Sequence, residues 1–142
     1  MRLRLVSLAA AAIATGIGLY MTWLRHEGEI APCVAGGGGC AKVADSSYSE
    51  IFGVPVSLLG AIGGAAMLVL AWWSGPRART LGAALALGGA AFSLYLTVVE
   101  LFVIDAICQW CVASAVCWCT LGVVESLRFW RAGLASDTPV AP

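Results

Sequence analysis

Charge is what this sequence has least of. Only 11% of its 142 residues are charged and 61% are hydrophobic, where soluble domains carry about 25% charged residues, and that excludes a water-soluble globule. Net charge is missing as well. Eight basic residues balance eight acidic ones, which leaves no excess to hold nucleic acid or an anionic surface. Histidine is nearly absent: His26 is the only one, and it reads as a solvated loop residue rather than a proton donor. Cysteine is not scarce. Six cysteines are too few for a disulfide-packed miniprotein and too many to be incidental, so they point to redox or metal chemistry.

Four charge-free runs stand out: residues 5–24, 51–76, 80–99 and 106–124, together 85 residues. About 20 residues at a 1.5 Å rise cross the hydrocarbon core, and a helix satisfies its own backbone there. The expected fold is therefore all-α, an integral membrane bundle of four transmembrane helices in one membrane domain over 1–142. Its spans fall at about 4–24, 54–74, 79–103 and 106–130, with an outward loop at 25–53 and a cytoplasmic tail at 131–142. The first run follows Arg2 and Arg4 as a signal peptide would. It is longer than a signal core and ends in the interfacial Trp23, with no convincing cleavage site after it, so it reads as a retained anchor. Arg2, Arg4, Arg77, Arg79, Arg128 and Arg131 fall on one side of the spans, against Arg25 and Lys42 on the other. The positive-inside rule then puts both termini in the cytoplasm and the Arg25–Glu50 segment in a compartment where disulfides persist. Glycines within the spans, such as Gly63, Gly64 and Gly89, suit close helix packing.

Four cysteines fall on the outward side. Cys33 and Cys40 are separated by Val34, Ala35 and the glycines Gly36 to Gly39, and Cys108-Gln109-Trp110-Cys111 sits at the mouth of the fourth span. At i and i+3 of a helix two cysteines are neighbours, so one thiolate can attack a disulfide formed by the other. A helix starting near Ala106 would favour that thiolate through its dipole. The glycine run gives the first pair mobility, as a relay requires and a permanent staple does not. The alternatives are a fixed disulfide in an exported loop and a zinc held by all four cysteines. Ser47-Tyr48-Ser49-Glu50 has the form of a capping box and predicts a short amphipathic helix through Ile51, Phe52 and Gly53, lying over the bundle.

Taken in order, Cys33, Cys40, Ser46, the stretch Phe52-Gly53-Val54-Pro55-Val56-Ser57-Leu58-Leu59-Gly60 and Cys108-Gln109-Trp110-Cys111 resemble the vitamin K epoxide reductase family, its bacterial homologues in particular, over roughly residues 5–130. The resemblance implies a thiol:quinone oxidoreductase in a bacterial cytoplasmic membrane. A thioredoxin-fold partner, here a separate periplasmic protein, would reduce Cys33 and Cys40. Cys40 would exchange with Cys108, and Cys111 would meet a quinone of the ubiquinone, menaquinone or vitamin K type beside Ser46 and Phe52. The outcome would be disulfide formation in exported proteins. Vertebrate members carry a tyrosine where this chain has Ala115 and an asparagine where it has Ser49, so simple quinone reduction is expected over epoxide reduction. A non-catalytic membrane scaffold, stapled by disulfides or zinc, is the alternative from another class.

Other residues are read more plainly. Cys117 and Cys119 lie about 9 and 12 Å deeper than Cys111 at helical rise and act as small hydrophobes. Glu100 is placed in the headgroup region, with proton delivery as its second reading. Glu125 and Arg128, three apart, form an interfacial ion pair of small worth.

Overall fold

The computed structural model describes residues 1–33, 38–73 and 75–136. It is mostly helical. Helix α1 runs Arg2–His26, a short α2 covers Gly39–Ala44, α3 covers Val56–Trp72, α4 covers Pro76–Val99, and α5 covers Gln109–Ser136. Pro76 opens α4 at a position where its missing N–H costs nothing. α1 packs on α3 and α5, and α4 packs on α5 and α3. At the centre lie Ala10, Ala11, Met67, Ala86, Trp118 and Leu121, small residues alternating with large ones.

Small residues set the close crossings. A Cβ on Gly18 would lie 2.7 Å from the backbone of Ala61 and Ser57, and one on Gly64 would meet the Thr15 hydroxyl at 2.5 Å, so α1 and α3 touch backbone to backbone. The Trp118 indole occupies a slot in which added Cβ atoms on Gly63 and Gly89 would lie 3.0 and 2.2 Å from its ring. Outside the core the helices present Ile13, Leu19, Ile62, Val69, Leu87, Leu94 and Val123 to the surroundings, an apolar surface that suits lipid.

α1, the stretch Pro76–Ile104, and α5 are long and apolar enough to cross a membrane, while α3, at 17 residues, is shorter. The 26-residue charge-free run at 51–76 is divided, because its first residues form a β-hairpin. Strands β1, Glu50–Ile51, and β2, Val54–Pro55, pair antiparallel with Glu50 opposite Pro55 and Ile51 opposite Val54. Phe52 and Gly53 turn the chain with φ of 53° and 79°, as a tight hairpin demands. Among the described residues the fold is thus helical with one small hairpin, and the helix expected from the capping box does not form. Only a 3₁₀ turn at Ser47–Ser49 is present. Glu50 is extended, and its carboxylate accepts from Arg25 at 2.7 Å instead of returning to the chain. The loop's helix is α2, seven residues earlier than Ser46 at its start, and it carries Cys40.

Candidate active site

α4 continues into a π-helical turn at Glu100–Ile104, closed by Asp105 in the left-handed region at φ 54°. Such a turn adds a residue to the helical repeat and is common at functional sites. It turns Glu100 inward: the side chain is 4% exposed, and one carboxylate oxygen accepts the Cys108 backbone N–H at 3.1 Å. The headgroup placement expected for Glu100 is therefore corrected. A short reverse connection folds back over the acid and buries it.

α5 begins at Gln109 rather than near Ala106. Cys108 consequently stands in the capping position, with its carbonyl accepting Val112 N–H at 3.0 Å. From there its sulfur faces the open amides of the first turn, as a capping side chain does. The Cys108 thiol is drawn from its ordinary 9.0 down to about 7, chiefly because the Cys111 side chain hydrogen-bonds to it; burial opposes this, the backbone N–H groups of Cys111 and Trp110 add to it, and the nearby Glu100 charge opposes it. A substantial share of Cys108 is therefore thiolate at neutral pH.

The outer pair meets the inner pair through backbone. Cys33 and Cys40 are joined in a disulfide, with Cα atoms 6.1 Å apart, and Cys40 N–H donates to the Cys33 sulfur at 3.3 Å. Their sulfurs are bonded to each other rather than open to a metal, which counts against the four-cysteine zinc. Gly38 enters α2 at φ 68°, and a Cβ on Gly39 would lie 2.4 Å from the Ile107 carbonyl oxygen. The residue before Cys40 thus touches the residue before Cys108. The two residues inside the second dithiol add a clamp: Gln109 Nε2 and Trp110 Nε1 both donate to the Pro32 carbonyl, at 3.1 and 3.2 Å. Tyr20 supports Trp110 from α1 with ring centroids 5.1 Å apart. The mobility expected of the glycine run concerns Gly36 and Gly37, which lie outside the described residues.

Beneath these groups is a cavity of about 490 Å³, walled by α1, α3, α4, α5 and the loop. Cys40, Cys108, Cys111, Ser46, Ser49 and Glu100 line it, together with Phe92, Trp110 and Trp118. Ser46 donates its hydroxyl hydrogen to the Val43 carbonyl at 2.7 Å. Arg25, also in the wall, spans the loop, donating to Ala44 O at 3.4 Å, to Ser49 Oγ at 3.3 Å and to Glu50.

Of the residues expected from sequence, the structure thus brings Cys40, Cys108, Cys111 and Ser46 to one cavity. Cys33 is half-buried and bonded to Cys40, outside the wall. Phe52 is not brought there: it is fully exposed at the hairpin tip, because the left-handed turn points it away from the bundle. Ala115 is buried and supplies no polar side-chain atom. Cys117 and Cys119 are outside the cavity wall. Nothing in the sequence signals Arg25 as a cavity residue or Gly39 as the contact with Ile107, whereas Glu100, whose second reading is proton delivery, does line the cavity.

Residues 5–126 match the vitamin K epoxide reductase family. The chain belongs to that family. It is also similar to the thiol-disulfide oxidoreductase LTO1 of Arabidopsis thaliana, 44% identical over 41 residues, which are 29% of this chain and 11% of that protein. The matched stretch is thus a small part of that longer relative. In this family member the Cys33–Cys40 disulfide, through Cys40, the Cys108–Cys111 dithiol and the buried Glu100 meet at one apolar cavity.

Proposed function

We propose that this member of the vitamin K epoxide reductase family is a membrane thiol:quinone oxidoreductase that supports disulfide formation in exported proteins. The observation that carries this reading is the single cavity whose wall includes Cys40, Cys108 and Cys111, with the outer disulfide held against the inner dithiol at Gly39 and Ile107. The fit to a quinone is chemical: the wall is mostly apolar and aromatic, as a ring and isoprenoid tail require, with polar groups gathered beside the thiols. A quinone bound there supplies the acceptor for two electrons and two protons.

The steps in the chain balance as thiol exchange. A dithiol of a thioredoxin-fold partner reduces the Cys33–Cys40 disulfide and itself becomes a disulfide. Half-buried Cys33 is the more accessible sulfur of the pair, whereas Cys40 is buried. When Cys108 and Cys111 are oxidised, the Cys40 thiolate attacks Cys108 and expels the Cys111 thiolate. Cys33 then attacks Cys40 and expels Cys108. Cys108 is a good leaving group because its pKa is held to about 7, and the products are the outer disulfide and inner dithiol seen in the structure. Glu100, buried beside them, accepts and returns the proton of the inner pair. Ser46 and Cys111 orient the ring, and Trp118 closes the floor.

The same reading has four spans, both termini in the cytoplasm and the loop outward, in a bacterial inner membrane. α3 supports it: 17 residues is at the lower bound of about 17–25 for a span, and Ile62 and Val69 face outward from it. The relay is tested by combining Cys33→Ser with Cys111→Ser, which leaves Cys40 and Cys108 without their partners. A Cys40–Cys108 disulfide is expected in the peptide masses of the oxidised variant. Two persistent free thiols at those positions would sink the exchange.

A further inference from the structure

A second cavity, of about 680 Å³, lies at the other end of the bundle, where α1 and α4 begin and α5 ends; Arg2, Arg4, Arg79, Arg128 and Arg131 line it. Whole-chain neutrality conceals this cluster. Glu27, Glu29, Asp45, Glu50, Glu100 and Asp105 sit at the cysteine end, while arginines gather here.

Two of the five guanidiniums are fixed in place. Arg4 donates to the Ala71 and Trp72 carbonyls at 3.0 and 2.9 Å, capping the end of α3. Arg128 donates to Glu125 at 2.6 Å, and Glu125, only 2% exposed, also accepts from the Ser7 hydroxyl of α1. That acid is thus already engaged. Arg2, Arg79 and Arg131 are exposed and form no ion pair among the described residues. Three free guanidiniums beside two rigid ones face a shared space, and a planar guanidinium matches phosphate oxygens in pairs.

We infer that this cavity binds the phosphate of an anionic membrane phospholipid. The surface adjoining it in the chain is apolar: Leu5, Trp72, Trp130 and Leu134 are exposed, which suits acyl chains and interfacial indoles rather than a free anion. Basic pockets at helix ends on the cytoplasmic side hold lipid headgroups by this chemistry. The site tethers α1, α4 and α5 where no covalent link joins them.

The test is native mass spectrometry, with melting measured in parallel, on the full chain in mild detergent titrated with phosphatidylglycerol, phosphatidylcholine or inorganic phosphate. Phosphatidylglycerol is expected to remain bound and raise Tm, and the other two are not. Arg79→Gln with Arg131→Gln weakens that binding about 25-fold, at about fivefold per arginine. Arg77→Gln, at the same end but outside the cavity wall, leaves it unchanged. Equal effects of inorganic phosphate would show a free-anion site and overturn the lipid assignment. Equal retention of phosphatidylcholine, or an equal loss in Arg77→Gln, would reduce the cluster to general surface charge and overturn the site.

Discussion

A methyl group at Gly39 would lie 2.4 Å from the Ile107 carbonyl oxygen, against backbone that cannot rotate aside. Gly39→Ala therefore separates the two dithiols without touching a cysteine, and transfer between them falls about tenfold or more, read as slower oxidation of an added dithiol. The Cys33–Cys40 bond still forms. At Cys108 the prediction concerns pH. With Cys117 and Cys119 replaced by alanine and the outer disulfide intact, thiolate absorbance in the ultraviolet should rise through a midpoint of about 7. Below that midpoint the thiolate declines about tenfold per pH unit. Cys111→Ala removes the largest cause of the lowered value and moves the midpoint up; an unchanged midpoint would show that the Cys111 hydrogen bond is not the cause. Phe52 gives the opposite kind of prediction. Since it is exposed at the hairpin tip, Phe52→Ala should leave the quinone KM within about twofold of wild type.

Helical elements are held by shape more than by polar bonds, and the Trp118 slot is the clearest case. Gly89→Ala forces a Cβ to within 2.2 Å of the indole, and overpacking of this kind costs about 1–3 kcal/mol. Tm in detergent should fall, and adding Trp118→Phe should restore part of it; additive losses would show that the ring and the glycine are not in contact. The charge-free runs made α1, α4 and α5 legible in advance, because a bilayer-length apolar segment has few other solutions. The capping box misled because its glutamate has a stronger partner, Arg25, 25 residues earlier in the chain. Two-residue strands are also too short to leave an alternating pattern. Likewise the pairing of Glu125 with Arg128 follows from their spacing, but its burial depends on Ser7, 118 residues away, so the expected interfacial pair of small worth is a buried network. The burial of Glu100 was illegible for a similar reason: nothing local announces the π-helical turn at Glu100–Ile104.

At the scale of the whole molecule, the bundle separates two chemistries along its axis. The thiols, Glu100 and the apolar cavity occupy one end, and the arginine cluster occupies the other. Composition alone pointed to a membrane protein whose cysteines serve redox or metal chemistry. The assignment of Cys40, Cys108 and Cys111 to one cavity needed the fold, because residues 40 and 108 meet only through the crossing of the loop with the start of α5. The central claim is that electrons pass from the outer dithiol through Cys111 to a quinone. It is tested most directly by following the ultraviolet absorbance of added quinone with purified protein and a reduced thioredoxin-fold dithiol, comparing wild type with Cys111→Ala. Quinone reduction is expected in the wild type and is lost in the variant; no reduction of any common quinone, with Cys33 and Cys40 oxidised throughout, would rule the relay out and leave a disulfide-stapled membrane scaffold.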